Sequence, residues 1–388
     1  MKKLISLVLA VVMLLTLLSA CNTGTEANNA PVQESTKLDE LQKIYADIKP
    51  LAEETTIRFI GTIGLQLSAP IWTAYSTGAL KAAGINLEFT PASTGPLSVE
   101  ALTAGEVDLV GTGIGGIAVA AIQGTGVVLS YINNESAGQK FYVKKDDPLA
   151  SAAVNEHGFH GTADDWRGAE IYMPAGTTLQ YLMGTALGDI GLTLQDVTPV
   201  YMDANNVNTA MYAEKGEVWG IWNFLCYSAD VEKYGYFPVI EGHEVGIDLM
   251  TAYVTNNTVL SDPAKRAAIE KIMEFHFATV DWMTASEENM AEVAQIMTDW
   301  AQSEGSTTTY DEMYLYLLDT SYITYEDNYA QWTEEVENKN GTMVKALDRL
   351  QGIMDFYIEQ GNYTEDDRTI MIQNQKDIFI TDAMDAIK

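Results

Sequence analysis

The sequence of 388 residues is short of cysteine, histidine and positive charge. It has 2 cysteines and 4 histidines, and 22 lysines and arginines stand against 54 aspartates and glutamates, which gives a formal net charge of −32. Long-range electrostatics therefore disfavours nucleic acid and anionic lipid headgroups as partners. The same acidity weighs against the attraction of a highly charged anion as ligand.

A long hydrophobic run occurs only at the N-terminus. Lys2 and Lys3 precede the apolar segment Leu4–Leu18, which is shorter than the roughly 20 residues of a membrane-spanning helix. The run ends in Leu-Ser-Ala-Cys, residues 18–21, which is typical of a bacterial lipoprotein signal. We expect residues 1–20 to be removed and Cys21 to be the lipid-modified first residue. A signal anchor with an incidental cysteine is the alternative.

Few residues are available for catalysis or metal binding. With Cys21 lipidated, Cys226 has no partner for a disulfide, and its apolar surroundings favour a buried position over a nucleophile. His157 and His160 are the only close histidine pair, but HGFH lacks the helical spacing of zinc enzymes and is more typical of a surface loop. The sequence therefore predicts no catalytic residue, no cofactor and no metal site.

The stretch Trp166–Leu192 carries the most informative local pattern. A short strand, Glu170–Met173, leads through Pro-Ala-Gly into a helix for which Thr177 or Thr178 is the predicted N-cap, its hydroxyl accepting from the first-turn amides. A strand that leads directly into a helix directs several free N–H groups at one point. Such a point is suited to an anionic or strongly polar group of a ligand.

Strands and helices also alternate in the first half of the chain. Predicted strands are Thr56–Ile60, Asn86–Thr90 and Leu109–Gly111, and the order predicts a mostly parallel sheet. Ligands bind beyond the carboxyl ends of such strands, where the loops here are rich in Gly, Ser and Thr. Ser68, followed by Pro70, is the predicted N-cap of the first helix in this unit.

A glycine-rich turn in this region could be mistaken for a dinucleotide site. Gly111–Gly116 satisfies the spacing GxGxxG after a strand, and Glu135 lies near the end of the next strand, Val127–Ile132. We disfavour this interpretation because the motif follows the third strand rather than the first. The predicted helix after it, Ile117–Ile122, is also very short.

Several segments resemble one protein family. Residues 165–182, DWRGAEIYMPAGTTLQYL, are similar to the opening of the second lobe in substrate-binding proteins of ABC importers of the nitrate, sulfonate and taurine type, a group that includes binders of thiamine pyrimidine precursors. The segments Gly64–Gly78, Ala101–Leu109 and Asp355–Tyr363 also match family patterns. In VWGIWN, residues 218–223, both tryptophans match, but Asn223 stands where the family commonly has an acid and no proline follows.

The resemblance implies an α/β fold of the periplasmic-binding-protein type, with two α/β lobes, a ligand cleft between them and two hinge crossings, near Lys144 and Tyr253. The expected domains are a signal peptide (1–20), a lipid anchor and tether (21–55), the first part of lobe 1 (56–143), lobe 2 (144–250), and the return to lobe 1 with a helical, tyrosine-rich tail (251–388). The sequence leaves the role of that tail open.

The resemblance further implies a monomeric, lipid-anchored receptor on the extracytoplasmic face of the membrane. It would deliver a small molecule to an ABC permease and its ATPase. One alternative is an enzyme like the pyrimidine synthases that share the fold, although those depend on a cysteine-rich motif and a histidine. Another is a ligand-sensing lipoprotein without transport.

The loops at the expected cleft favour a particular kind of ligand. They offer neutral hydrogen-bond donors and aromatic faces, and they contain no Arg or Lys. Such loops suit a small organic molecule with a ring or short apolar body and one polar or anionic end. Organosulfonates, substituted pyrimidines and aromatic acids are examples. Trp222 is a better ligand candidate than Trp219, which we expect in the core. The predicted ligand-binding residues are Gln66, Ser68, Trp72, Thr94, Gly95, Thr112, Gly113, Asn133, Thr177, Thr178, Asn205, Trp222 and Asn223.

Overall fold

A computed structural model describes residues 36–387, except 63, 93, 125, 228–230, 232, 338–342 and 379–381. The predicted signal segment and Cys21 lie outside the described residues. The strands are β1 (Thr55–Gly61), β2 (Ile85–Pro91), β3 (Leu109–Thr112), β4 (Gly126–Asn134), β5 (Gln139–Lys144), β6 (Glu170–Met173), β7 (Thr198–Tyr201), β8 (Val218–Trp222), β9 (Tyr236–Glu241), β10 (Met250–Asn256), β11 (Ser321–Tyr322), β12 (Val336–Glu337) and β13 (Met343–Val344).

Helices surround these strands throughout the described part of the chain. They are α1 (Thr36–Ala46), α2 (Ala69–Ser76), α3 (Ala79–Ala82), α4 (Gly95–Thr103), α5 (Ile114–Gln123), α6 (Ala163–Trp166), α7 (Thr178–Asp189), α8 (Ala204–Tyr212), α9 (Asn257–Leu260), α10 (Pro263–Thr284), α11 (Glu287–Ser303), α12 (Tyr310–Asp319), α13 (Tyr325–Thr333), α14 (Ala346–Glu359), α15 (Glu365–Ile378) and α16 (Asp382–Asp385). Among the helices described, none is long and apolar enough to cross a membrane.

The first lobe is built on a six-stranded sheet in the order β11-β4-β10-β3-β1-β2. β1 is parallel to β2 and β3, as the alternation of strands and helices predicts, but β10 is antiparallel to both β3 and β4. The sheet is therefore mixed rather than mostly parallel. The reason is that β10 is not the end of a βα crossover, since it returns from the second lobe.

The second lobe is built on a five-stranded sheet in the order β7-β6-β8-β5-β9. β6 is parallel to β7 and β8, whereas β5 is antiparallel to β8 and β9. β5 thus belongs to the second lobe, which places the first crossing at residues 135–138 instead of near Lys144. The second crossing lies between β9 and β10, at residues 242–249, and not near Tyr253 as expected, because Tyr253 is already within β10 of the first sheet.

The chain on either side of the two lobes also packs on the first sheet. Leu41 and Tyr45 of α1 are buried in the core of the first lobe, and the Tyr45 hydroxyl lies 2.6 Å from that of Thr279 on α10. Residues 36–46 are therefore part of the first lobe and not of the expected tether. From the other end, α14 and α15 cover α5, and Ile353 and Met354 are buried beside its apolar face.

Candidate functional site

Three helices begin at one cavity between the lobes. α4 and α5 of the first lobe and α7 of the second have Thr94, Gly113 and Thr177 as their N-cap residues, and all three line this cavity. Among the described residues, neither Thr94 nor Thr177 caps its helix with its side chain, and Gly113 has none to do so. The first amides of a helix have no acceptor within it and carry partial positive charge, so the cavity receives hydrogen-bond donors from three directions.

The cavity, which we call the cleft, contains about 610 Å³ of space free of atoms, including its open mouth. Its described wall is drawn from both lobes and from the C-terminal helical region. The lining residues are Thr62, Leu65, Leu67, Thr94, Gly95, Pro96, Ser98, Gly111, Thr112, Gly113, Gly115, Gly116, Glu135, Gln139, Thr177, Thr178, Trp222 and Tyr316.

Glu135 is the one charged side chain among these described lining residues. It sits at the first crossing, and only 9% of its surface is exposed. Burial raises the pKa of its carboxyl to about 7, against the opposing effect of hydrogen bonds from Gln66 and Thr178. The carboxyl therefore changes charge near neutral pH, in contact with the space that a ligand would fill.

Gln66 holds Glu135 from behind. Its Nε2 donates to Glu135 Oε2 at 2.9 Å, and its Oε1 accepts from the hydroxyl of Tyr316 on α12. The Tyr322 hydroxyl donates to the Gln66 carbonyl oxygen at 3.1 Å. Gln66 itself is fully buried. The residue therefore lies one layer behind the cleft wall, where it orients the acid.

The threonines that open α7 have partners other than those expected. The Thr177 hydroxyl donates to the Pro174 carbonyl oxygen at 3.0 Å, and the Thr178 hydroxyl donates to Gln139 Oε1 at 3.1 Å. Thr177 is the N-cap residue, as predicted, but neither hydroxyl accepts a hydrogen bond from the first-turn amides, which corrects that part of the prediction. Because both hydroxyls are directed elsewhere, the first-turn amides of α7 stay available to an occupant of the cleft.

Seven of the sequence-predicted site residues come together at the cleft. They are Thr94, Gly95, Thr112, Gly113, Thr177, Thr178 and Trp222. Trp222 is partly buried at the carboxyl end of β8, whereas Trp219 is fully buried and its Nε1 donates to the Lys215 carbonyl oxygen at 2.7 Å. The alternation of side chains along β8 thus places the Trp219 ring in the core and the Trp222 ring at the cleft, as expected.

Other predicted residues lie away from the cleft wall. Trp72 stacks on Trp300 with ring centroids 3.8 Å apart, inside the first-lobe core, because the two helices that carry them pack together. Ser68 is buried and its hydroxyl donates to the Thr62 carbonyl oxygen, and Asn133 accepts from the Thr251 hydroxyl within the sheet. Asn205 is exposed on α8. The side chain of Asn223 lies outside the described part of the structure.

Sequence reasoning missed Glu135, Gln139 and Tyr316 as cleft residues. In the sequence, Glu135 was considered only as the acid of the dinucleotide pattern. Its position directly after an apolar strand could have indicated a cleft residue. Tyr316 lies 250 residues from Gln66, and no local pattern marks it among the tyrosines of the C-terminal region.

The glycine-rich turn serves close packing. A Cβ at Gly115 would lie 2.1 Å from the carbonyl oxygen of Gly176, which belongs to the other lobe, and a Cβ at Gly95 would lie 2.2 Å from Thr112 Oγ1. These approaches explain the glycines without a dinucleotide. The helix α5 begins at Ile114, inside the glycine run, and not at Ile117 as expected.

The histidine loop shows no grouping suited to a metal. His157 lies 3.8 Å from Glu156, while the His160 ring packs against Phe237. Across the described residues, no group of three or more His, Cys, Asp or Glu side chains is placed to hold a metal ion.

Comparison with known proteins gives relatives at low sequence identity. No protein-family model matches the chain. A protein of Brucella abortus (strain 2308), described as a binding protein, is 21% identical over 259 residues, which are 63% of this chain and 76% of the relative.

Solved structures match over most of the chain. The alkanesulfonate-binding protein SsuA from Xanthomonas axonopodis pv. citri, bound to MOPS, has a TM-score of 0.59 at 16% identity and covers 80% of this chain and 94% of that protein. The periplasmic nitrate-binding protein NrtA from Synechocystis PCC 6803 has a TM-score of 0.57 at 13% identity, over 86% of this chain and 88% of that protein. The chain therefore has the periplasmic-binding-protein fold of sulfonate- and nitrate-binding proteins, which confirms at the level of the fold the resemblance found in its sequence.

Proposed function

We propose that this chain is an extracytoplasmic solute-binding protein that captures a small organic molecule in the cleft and delivers it to an ABC importer. The observation that carries the proposal is the convergence of three uncapped helix N-termini, from both lobes, on one cavity. Such a site offers its donors to a polar or anionic group of a ligand, and it can enclose that group when the lobes meet. The solute-binding proteins among its structural relatives support this role.

The cleft suits an oxygen-rich group beside a flat or apolar body. Each helix N-terminus favours an acidic group by about 0.3–1 kcal/mol when exposed and up to about 2 kcal/mol when partly buried. Trp222 offers a ring face, and Leu65 and Leu67 add apolar wall. Organosulfonates, aromatic acids and substituted pyrimidines combine these features, and an inorganic anion would leave the tryptophan unused.

The membrane anchor and the importer complete the proposal. Cys21 would tie the protein to the outer side of the cytoplasmic membrane, so that a captured molecule stays near its permease. Uptake of a labelled ligand by cells with and without this chain separates transport from sensing: a sensor leaves uptake unchanged, whereas a transport receptor is required for it.

A thermal-shift panel tests the binding function. Organosulfonates, pyrimidines, aromatic acids and amino acids are compared with sugars and metal ions, and a bound compound raises the melting temperature by mass action. We expect the largest shift from a compound with one acidic or strongly polar end. A shift produced only by sugars or metal ions would overturn the assignment.

A further inference from the structure

A carboxyl group at the wall of the cleft has no positive partner within the described protein. Gln66 donates to Glu135 Oε2 at 2.9 Å, the Thr178 hydroxyl also hydrogen-bonds the carboxyl, and Glu135 Oε1 lies 3.1 Å from where a Cβ of Gly113 would be, at the cleft wall. The neighbouring elements contribute Gln66, Thr178, Gln139 and Trp222, which are neutral, and Tyr316, which is the one titratable group among them.

The burial of an unpaired carboxylate costs free energy, and a cation that binds next to the carboxylate offsets that cost. No Lys, Arg or His occurs among the described lining residues, so such a cation has to come with the ligand. The uncapped N-termini of α4, α5 and α7 favour the opposite charge. The cleft is thus polarised, with donors from three helices and an acceptor at the crossing between the lobes.

We propose that Glu135 determines specificity by pairing with a basic nitrogen of the ligand, so that the preferred solutes carry an amino or amidine-like group together with an acidic or oxygen-rich group. The inference rests on the proposed binding function. It narrows the proposed ligand class of organosulfonates, aromatic acids and substituted pyrimidines to aminosulfonates and amino acids.

The inference also fixes the direction of a pH effect. Protonation of Glu135 competes with the entry of a cation, so affinity for an amine should rise between pH 5 and pH 8. A ligand that accepts a hydrogen bond from the protonated carboxyl would bind more weakly over the same interval. The two modes therefore give opposite slopes.

Two pairs of compounds differ only in the amino group: taurine and ethanesulfonate, and β-alanine and propionate. Titration calorimetry compares the wild type with Glu135→Gln and with Glu106→Gln, which removes the same charge at an exposed position. We expect the amine of at least one pair to bind tenfold or more tightly than its partner. Glu135→Gln should abolish that preference, and Glu106→Gln should keep it.

The inference is overturned, while the binding function stands, by any of four results. The two compounds of every pair bind equally, or only amine-free compounds bind. Alternatively, the preference survives in Glu135→Gln, or the affinity for the amine falls with rising pH. No binding by any compound of these pairs or of the thermal-shift panel would contradict both. The melting temperature of unliganded Glu135→Gln confirms that the variant is folded.

Discussion

Glu135 makes the stability of the ligand-free protein depend on pH. Its carboxyl has an ordinary pKa of 4.5 in the unfolded chain and, because of burial, a pKa of about 7 in the folded one. Between these values the folded state holds a proton that the unfolded state has lost. The free energy of unfolding therefore falls as the pH rises through this interval and levels off above it.

Glu135→Gln should remove this dependence. At pH 5 the variant and the wild type should have similar free energies of unfolding, and at pH 8 the variant should be the more stable by up to about 3 kcal/mol, since each pKa unit corresponds to about 1.4 kcal/mol. Denaturant unfolding at the two pH values measures this, with Glu106→Gln as the control. Parallel pH profiles for the wild type and Glu135→Gln would contradict the account.

Trp222 is the ring that the account assigns to the ligand. Trp222→Ala should weaken the binding of the best compound of the panel by about 1–3 kcal/mol, because a partly buried stacking face is lost. Tyr234→Ala, which removes a ring that is 59% exposed in the same lobe, is the control and should bind normally. Calorimetric affinities equal to the wild type for Trp222→Ala would exclude the ring from the site.

The sequence alone located those site residues whose position depends only on the neighbouring strand and helix. Thr94, Gly113 and Thr177 each follow a strand and precede a helix, and that order alone brings them to the cleft. It could not reveal the partners of their side chains, which depend on residues far along the chain. Tyr316 and Glu135 could be identified as cleft residues only from the tertiary structure. They line the cleft only once both crossings and the C-terminal helices are in place.

At the level of elements, strands and helices with strong local signals were predicted closely. β6 has the predicted bounds, Glu170–Met173. The assignment of strands to lobes was less accurate, because it depends on pairing between residues distant in sequence. β5 follows β4 after only a few residues, yet it pairs with β8 and β9.

The start of α5 touches the turn before α7, and this contact between the lobes should be sensitive to one methyl group. In Gly115→Ala the new Cβ would lie 2.1 Å from the Gly176 carbonyl oxygen, so the two elements have to separate. We expect the affinity for the best panel compound to fall tenfold or more by calorimetry, because the lobes can no longer meet around it.

Gly188→Ala on α7 is the matched control, since its Cβ would have no atom within 4 Å. This control should bind like the wild type. If Gly115→Ala also keeps its full affinity, the contact between α5 and the α7 turn is not needed for binding.

The C-terminal helices link the lobes at a third place. The Tyr357 hydroxyl on α14 donates to the Thr177 carbonyl oxygen at 2.9 Å, and the Phe356 ring meets that of Tyr181 on α7. Gln180 Nε2 also donates to Asn362 Oδ1 at 3.0 Å. The tail, whose role the sequence left open, therefore supports the very turn that presents amides to the cleft.

At the scale of the whole molecule, the N-terminal cysteine should decide where the protein is found. Cys21→Ala should abolish labelling by a fatty-acid probe and release the chain from the membrane fraction. Cys226→Ala is the control and should keep the label, because Cys226 is buried and burial raises the pKa of its thiol to about 12. Unchanged labelling of Cys21→Ala would contradict the anchor.

The central claim is that two lobes close on a small molecule. Small-angle scattering of the protein, with and without a saturating amount of the best panel compound, measures this most directly. The account predicts a smaller radius of gyration with the compound present for the wild type and Gly188→Ala, and little change for Gly115→Ala. A wild-type radius of gyration that is unchanged by a compound whose binding calorimetry has verified would contradict the claim.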